Sequence, residues 1–182
     1  MSYFISLDVT DEDVKDALVN FGERVSAFGT ATPVSRENLH ITLLFLGEFD
    51  GDERHRSRDT FIDVSSNMNV GKFTCTIEDV GVFPHMNFIE VVWAGAEPEV
   101  KLRNMHVKYS EHLNGVNDHE FTPHVSVARV RDIDPEEKAN LQAAIRAEPG
   151  DFGQFQVNDV RLTRSRLTDD GPVYEDVEVV EL

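Results

Sequence analysis

"ENLHITLLFLGE", residues 37–48, is the stretch on which the fold turns. Residues 39–46 form a short apolar run that reads as a buried strand. Yet the run carries His40 at its start and Thr42 two residues later. Side chains alternate along a strand, so these two share one face. A core strand has no need of an imidazole and a hydroxyl side by side. The arrangement recurs in "FTPHVSVARV", residues 121–130, with His124 and Ser126. The two histidines are 124 − 40 = 84 residues apart. One histidine near a strand end is most often structural. Two copies of the same pair, each opening an apolar strand, point to one shared site.

The flanking segments give an order of elements. "YFISLDV" (3–9) reads as a first strand. Residues 10–29 read as a helix, with Val14, Ala17, Leu18, Phe21, Val25 and Phe28 at helical spacing and Gly29 closing it. Residues 52–68 are a second helix, polar at first. Strands follow over 72–83 and 87–95, separated by Pro84 and Asn87. Pro98 starts a third helix with Val100, Met105, Tyr109 and Leu113 on one side. Asp134-Pro135-Glu136-Glu137 opens a fourth. Residues 152–167 and 172–182 read as two final strands joined near Asp170-Gly171. A helix, a histidine strand, a helix and further strands thus occur twice. "KFTCTIEDVGVF" after the first set is answered by "QFQVNDVRL" after the second. The expected fold is α+β, one domain over residues 1–182. It has two pseudo-symmetric lobes, each a small antiparallel-rich sheet with helices outside, and a cleft between them.

Composition bounds the function. Of 182 residues, 40% are hydrophobic and twelve are Phe, which excludes a disordered chain. The apolar runs are too short to span a membrane, and the opening does not read as a secretory leader. Cys75 is the lone cysteine, which rules out an internal disulfide and a multi-cysteine zinc site and favours a cytoplasmic location. Asp and Glu number 34 against 17 Lys and Arg, a net charge of -17 scattered along the chain. With twelve Arg to five Lys, this resembles the composition of proteins from salt-accumulating halophiles. It argues against a broad electrostatic nucleic-acid binder but leaves room for a local phosphate site.

Two imidazoles facing one cleft can hold opposite protonation states near neutral pH, one taking a proton from water and the other giving one to a leaving oxygen. The hydroxyls can donate to phosphoryl oxygens. In-line hydrolysis of a phosphodiester fits this set without a metal or other cofactor.

The two segments resemble the paired His-x-Thr/Ser-x motifs of the two-histidine phosphoesterase superfamily. Within it the chain is similar to the RNA 2',3'-cyclic phosphodiesterases, historically called 2'-5' RNA ligases. The likeness runs from "YFISLDV" through Pro33 to Gly47 and "GVFP" to the late "RSRLTDDGPVY". The resemblance implies a bilobal α+β fold that opens a terminal 2',3'-cyclic phosphate of RNA to a 2'-phosphate, with weak reverse 2'-5' ligation. By the same carry-over, His40 is the proton donor to the leaving 3'-oxygen and His124 the acceptor that activates water. Thr42 and Ser126 hold the phosphate. The implied partner is an RNA end, tRNA fragments among the candidates, and the chain is expected to act as a monomer away from membranes.

Arg129 is a further substrate-binding candidate, since a guanidinium suits a phosphate. Its odd offset of five from His124 places it on the opposite face unless a bulge intervenes. Phe4 reads as a base-stacking or a core residue. Arg164 and Ser165 belong to the familiar late segment without an assigned role. A metal site from His112, His119 and His124 gives no role to His40 or the hydroxyls. Two other readings stand beside the leading one: a non-catalytic nucleotide- or RNA-binding module, and a phosphodiesterase of the same superfamily acting on a small cyclic nucleotide.

Overall fold

The computed structural model describes residues 1–28, 31–116, 120–169 and 171–182. The chain alternates strands and helices as β1 Ser2–Asp8, α1 Glu12–Ser26, β2 Thr32–Pro33, β3 His40–Gly47, α2 Gly51–Asn67, β4 Phe73–His85, β5 Phe88–Glu97, α3 Glu99–His112, β6 His124–Arg129, α4 Pro135–Ala147, β7 Asp151–Val157, β8 Asp159–Thr168 and β9 Gly171–Glu181. A single 3-10 turn, Arg36–Asn38, leads into β3. No helix among the described residues is long and apolar enough to cross a membrane.

Polar side chains set the helix starts. Asp11 accepts from the backbone N–H groups of Asp13 and Val14 at the head of α1. Asp134 and Glu137 close a reciprocal capping box on α4. Gly29 and Asp170, expected to close α1 and to turn β8 into β9, lie outside the described residues.

The strands form one antiparallel curled sheet in the order β7-β4-β5-β6-β3-β1-β8-β9, with β2 added beside β6. The two expected lobes are its halves, meeting where β3 joins β6. The order is symmetric about that seam: β3, β1, β8, β9 run one way and β6, β5, β4, β7 the other. The repeat is β1-α1-β3-α2-β4 followed by β5-α3-β6-α4-β8, with β7 set between α4 and β8. Each copy gives its last strand to the other half, so β4 pairs with β5 and β8 with β1. The helices cross as well. Helix α1 packs on β6 and β7, and α3 on β3. The core lies between sheet and helices, with Leu18, Phe21, Ile41, Leu43, Ile77, Leu102 and Tyr109 almost wholly buried. Each such side chain contributes about 1.5–3 kcal/mol.

Two expectations need correction. Val100 is 73% exposed, and Leu102 takes its place in the core. Leu102, Met105, Tyr109 and Leu113 follow three-four-four spacing, and Val100 lies about 200° around the helix from Leu102. Residues 152–167 are two strands, not one. They part at Asn158 because β7 continues the ladder of β4 while β8 crosses to β1.

Gly22 is fixed by packing. A β-carbon there would lie 2.6 Å from the Val127 carbonyl oxygen of β6, under which α1 runs. Gly22→Ala should therefore lower stability by about 1–3 kcal/mol, the range for overpacking, despite alanine's better helix propensity. A urea midpoint equal to or above wild type would contradict this.

Candidate active site

At the seam, β3 and β6 meet at one bridge, Ile41 opposite Val125. Carried one residue each way, the register sets His40 against Ser126 and Thr42 against His124. Both imidazoles and both hydroxyls therefore share the face turned away from the helices.

Arg129 joins them through a backbone irregularity. On β5, Trp93 pairs with Ser126 and Val92 with Ala128, so Val127 is an extra residue, a β-bulge. The bulge shifts the alternation by one and returns Arg129 to the face of His124. The repeat carries the same device: Ser6 pairs with Thr42 and Ile5 with Leu44, leaving Leu43 extra in β3. The burial patterns of the two strands match over six residues, the sixth being exposed Phe45 in one and exposed Arg129 in the other. The bulge carbonyls are satisfied. Val34 N–H donates to Val127 O at 2.9 Å, and His106 Nδ1–H donates to Leu43 O at 2.7 Å.

The histidines are held alike. His40 Nδ1–H donates to the Asn38 carbonyl at 2.6 Å, and His124 Nδ1–H to the Thr122 carbonyl at 2.7 Å. A carbonyl only accepts, so Nδ1 carries the proton in both neutral rings and Nε2 is left as the working atom. His40 Nε2 accepts from the Thr42 hydroxyl at 3.0 Å. Among the described residues, His124 Nε2, the Ser126 hydroxyl and the Arg129 guanidinium have no hydrogen-bond partner and stay open to the cleft.

Aromatic side chains fix the rings. Phe4 stacks on His40 at 4.9 Å between centroids, and Tyr174 meets it edge-on at 5.3 Å. Phe83 meets His124 edge-on at 4.9 Å, with Trp93 tilted at 5.8 Å. Phe4 is 3% exposed, so it buttresses His40 and offers no free face for a base. The Trp93 ring lies flat over Gly81, where a β-carbon would fall 2.1 Å from it.

Burial holds the His40 imidazole down to about 4, and the cationic forms of His124 and Arg129 push the same way, against its hydrogen bond to Asn38. Burial lowers His124 too, opposed by its bond to Thr122 and aided by Arg129. Arg129 is thus close enough to act on both rings. Both imidazoles are neutral near pH 7. A folded value below the unfolded 6.5 means that the unfolded chain binds more protons between the two. Stability contributed by His40, about 3 kcal/mol, is present above pH 6.5 and is lost as pH falls towards 4. The measurement is the wild-type urea stability minus that of His40→Gln at pH 7, 5.5 and 4. The difference should fall with pH, and a flat one would contradict the burial.

The structure thus brings together all five sequence candidates: His40, Thr42, His124, Ser126 and Arg129. Arg164 points elsewhere, paired with Glu175 across the β8–β9 ladder. His106 is committed to Leu43, His112 is exposed at the end of α3, and His119 lies outside the described residues. Among the described residues no cluster of three His, Cys, Asp or Glu could hold a metal ion. Sequence reasoning missed Tyr174, Phe83, Trp93 and the Asn38 carbonyl. The aromatic residues come from strands distant in sequence, and only "GVFP" and "GPVY" hinted at two of them.

Comparison with known proteins agrees with this architecture. The family model of the 2'-5' RNA ligase superfamily matches residues 14–169. The chain is 33% identical to the RNA 2',3'-cyclic phosphodiesterase of Archaeoglobus fulgidus, covering 100% of both chains. It is 29% identical to that of Methanocaldococcus jannaschii over 96% of this chain and 97% of the relative. Among solved structures, a Thermus thermophilus protein superposes with a TM-score of 0.78 at 29% identity, covering 100% of this chain and 98% of that one. E. coli LigT, solved with NADP+, superposes at 0.74 with 19% identity and 97% of its chain covered, a likeness of fold. With a superfamily model spanning most of its length and relatives matching end to end, the chain belongs to the 2'-5' RNA ligase superfamily.

Proposed function

We propose that this protein hydrolyses the terminal 2',3'-cyclic phosphate of RNA to a 2'-phosphate without a metal, the activity named for its relatives. The observation that carries the reading is the pair of Nε2 atoms on one face of the seam, with Arg129 and the two hydroxyls beside them. The cyclic phosphate sits between the histidines. His124 Nε2 accepts a proton from water as the water oxygen bonds to phosphorus. The bond from phosphorus to the 3'-oxygen breaks, and His40 Nε2–H gives its proton to that oxygen. Thr42, Ser126 and Arg129 donate to the non-bridging oxygens, where charge builds. In the free protein His40 is neutral. The bound diester anion supplies the negative charge that favours its protonated form.

The test is turnover of a short RNA carrying a 2',3'-cyclic phosphate, in high KCl with EDTA, with the product's phosphate located. A 2'-phosphate formed at an undiminished rate is expected. Activity that EDTA abolishes, or no turnover by the folded protein, overturns the reading.

The net charge of -17 belongs to the same proposal. At 1 M salt the Debye length is ~3 Å, so repulsion of RNA is confined to contact range. Activity should hold or rise between 0.1 and 3 M KCl. Loss at molar KCl, with the fold intact at low salt, would contradict adaptation to salt.

A further inference from the structure

Beside His40 the concave face of the first half opens into a cavity of about 220 Å³. Its walls come from β1, the turn before β3, β8 and β9, and include Phe4, Asp8, Asn38, Arg161, Tyr174 and Asp176. It is smaller than the ~300–1,000 Å³ of sites for drug-sized ligands, so it suits one fragment such as a single heterocycle. Asp8 is the cross-strand partner of His40, which puts the cavity directly against the catalytic ring.

The charges exclude a second phosphate. Arg161 is the one cation of the lining, and three carboxylates already hold it: Nε bonds Asp159 at 2.9 Å, and Nη1 meets Asp176 at 2.8 Å and Asp8 at 3.0 Å. The arginine fills the centre of the carboxylates and leaves no place there for a metal ion. What remains is a polar edge. Among the described residues Arg161 Nη2 has no bonding partner. Asn38 is 8% exposed, and its Nδ2 donates to the Pro172 carbonyl at 3.0 Å, which turns Oδ1 free as an acceptor. Asp8 and Asp176 keep acceptor capacity beyond their bonds to Arg161. The cavity thus presents several acceptors and one guanidinium donor.

We infer that this cavity reads the base of the terminal nucleotide and selects guanine. The inference rests on the phosphodiesterase reading. A donor that protonates the leaving 3'-oxygen must stand on the ribose side of phosphorus, so the nucleoside lies on the side of His40. Guanine offers N1–H and an N2 amino group as donors and O6 as an acceptor, the complement of Asp8 or Asn38 beside Arg161 Nη2. Uracil offers one donor, N3–H, and sets its O2 against a carboxylate where guanine sets the N2 amino group. Adenine and cytosine, with one amino group each, fall between.

The test compares kcat/KM for the guanosine, adenosine, cytidine and uridine 2',3'-cyclic phosphates. In parallel, calorimetry compares binding of guanosine and uridine 2'-monophosphates, which reads the cavity without turnover. Guanosine should lead uridine by about 10–100-fold in both, the range for one or two hydrogen bonds to charged groups. In Asp8→Asn, or in Asp176→Asn should the first variant melt early, the lead should shrink about tenfold while uridine turnover stays within about threefold. Equal ranking of the four in the wild type, or equal binding of the two monophosphates, overturns the inference. Should none of the four turn over, the binding ratio alone decides the cavity, and turnover of the short cyclic-phosphate RNA decides the phosphodiesterase reading.

Discussion

Alanine at position 124 should lower kcat on a cyclic-phosphate RNA by about a thousandfold, and alanine at position 40 should do the same. Each substitution removes one proton transfer, and a positioned acid or base contributes typically 10²–10⁴-fold. The double variant should be little worse than either single one, because the two rings serve one concerted displacement. Each imidazole is buried and neutral at pH 7, so its removal leaves a space and costs some stability, and the rates are compared on variants that remain folded. Melting curves check this. The acid and base roles separate on a second substrate. A nitrophenyl phosphodiester has a leaving group that needs no proton. His40→Ala should retain most of the wild-type rate on it, whereas His124→Ala should stay inactive on both substrates. The opposite pattern would exchange the roles. Equal loss on both substrates from both variants would reduce His40 to a positioning residue.

The two histidine strands were legible because their chemistry is local. His40 with Thr42 and His124 with Ser126 need only the two-residue period of a strand. The duplicated order of elements was legible for the same reason. The exchange of β4 and β8 between the halves was not, since strand pairing is decided by contacts far apart in sequence. Residues 152–167 show the consequence. Their apolar alternation is nearly continuous, and only the ladders show that Phe152 and Phe155 belong with β4 while Val160 and Leu162 belong with β1. Helix α3 failed differently. Val100 is apolar, but two residues from Leu102 is nearly the far side of a helix. The polar cavity beside His40 had no local signature at all. Asp8, Asn38, Arg161 and Asp176 come from four elements and meet only because β1, β8 and β9 lie together.

Arg129 is where strict alternation and chemistry disagreed, and the bulge at Val127 decides between them. The disagreement yields the second large effect. Arg129→Ala should lower kcat/KM by about 10²–10³-fold, the loss seen when one donor to a developing oxyanion is removed from a water-poor site. Arg129→Lys should recover only part, because an ammonium keeps the charge but not the two-pronged geometry of a guanidinium on phosphate. The stability of the protein should change little, since the side chain is exposed and makes no ion pair among the described residues. A second readout distinguishes this from a loose surface arginine. Arg129 depresses both imidazoles in the folded protein, so its removal should move the titration of His40 and of His124 upward, as followed by the ring proton shifts. The sign is fixed: loss of a neighbouring cation makes the protonated ring easier to form. Unchanged titrations together with unchanged kcat/KM would place Arg129 outside the site, and the bulge would then have no chemical consequence. A shift of both rings with a collapse in rate would mean that one extra residue in β6 sets both the phosphate contact and the proton affinity of the two histidines.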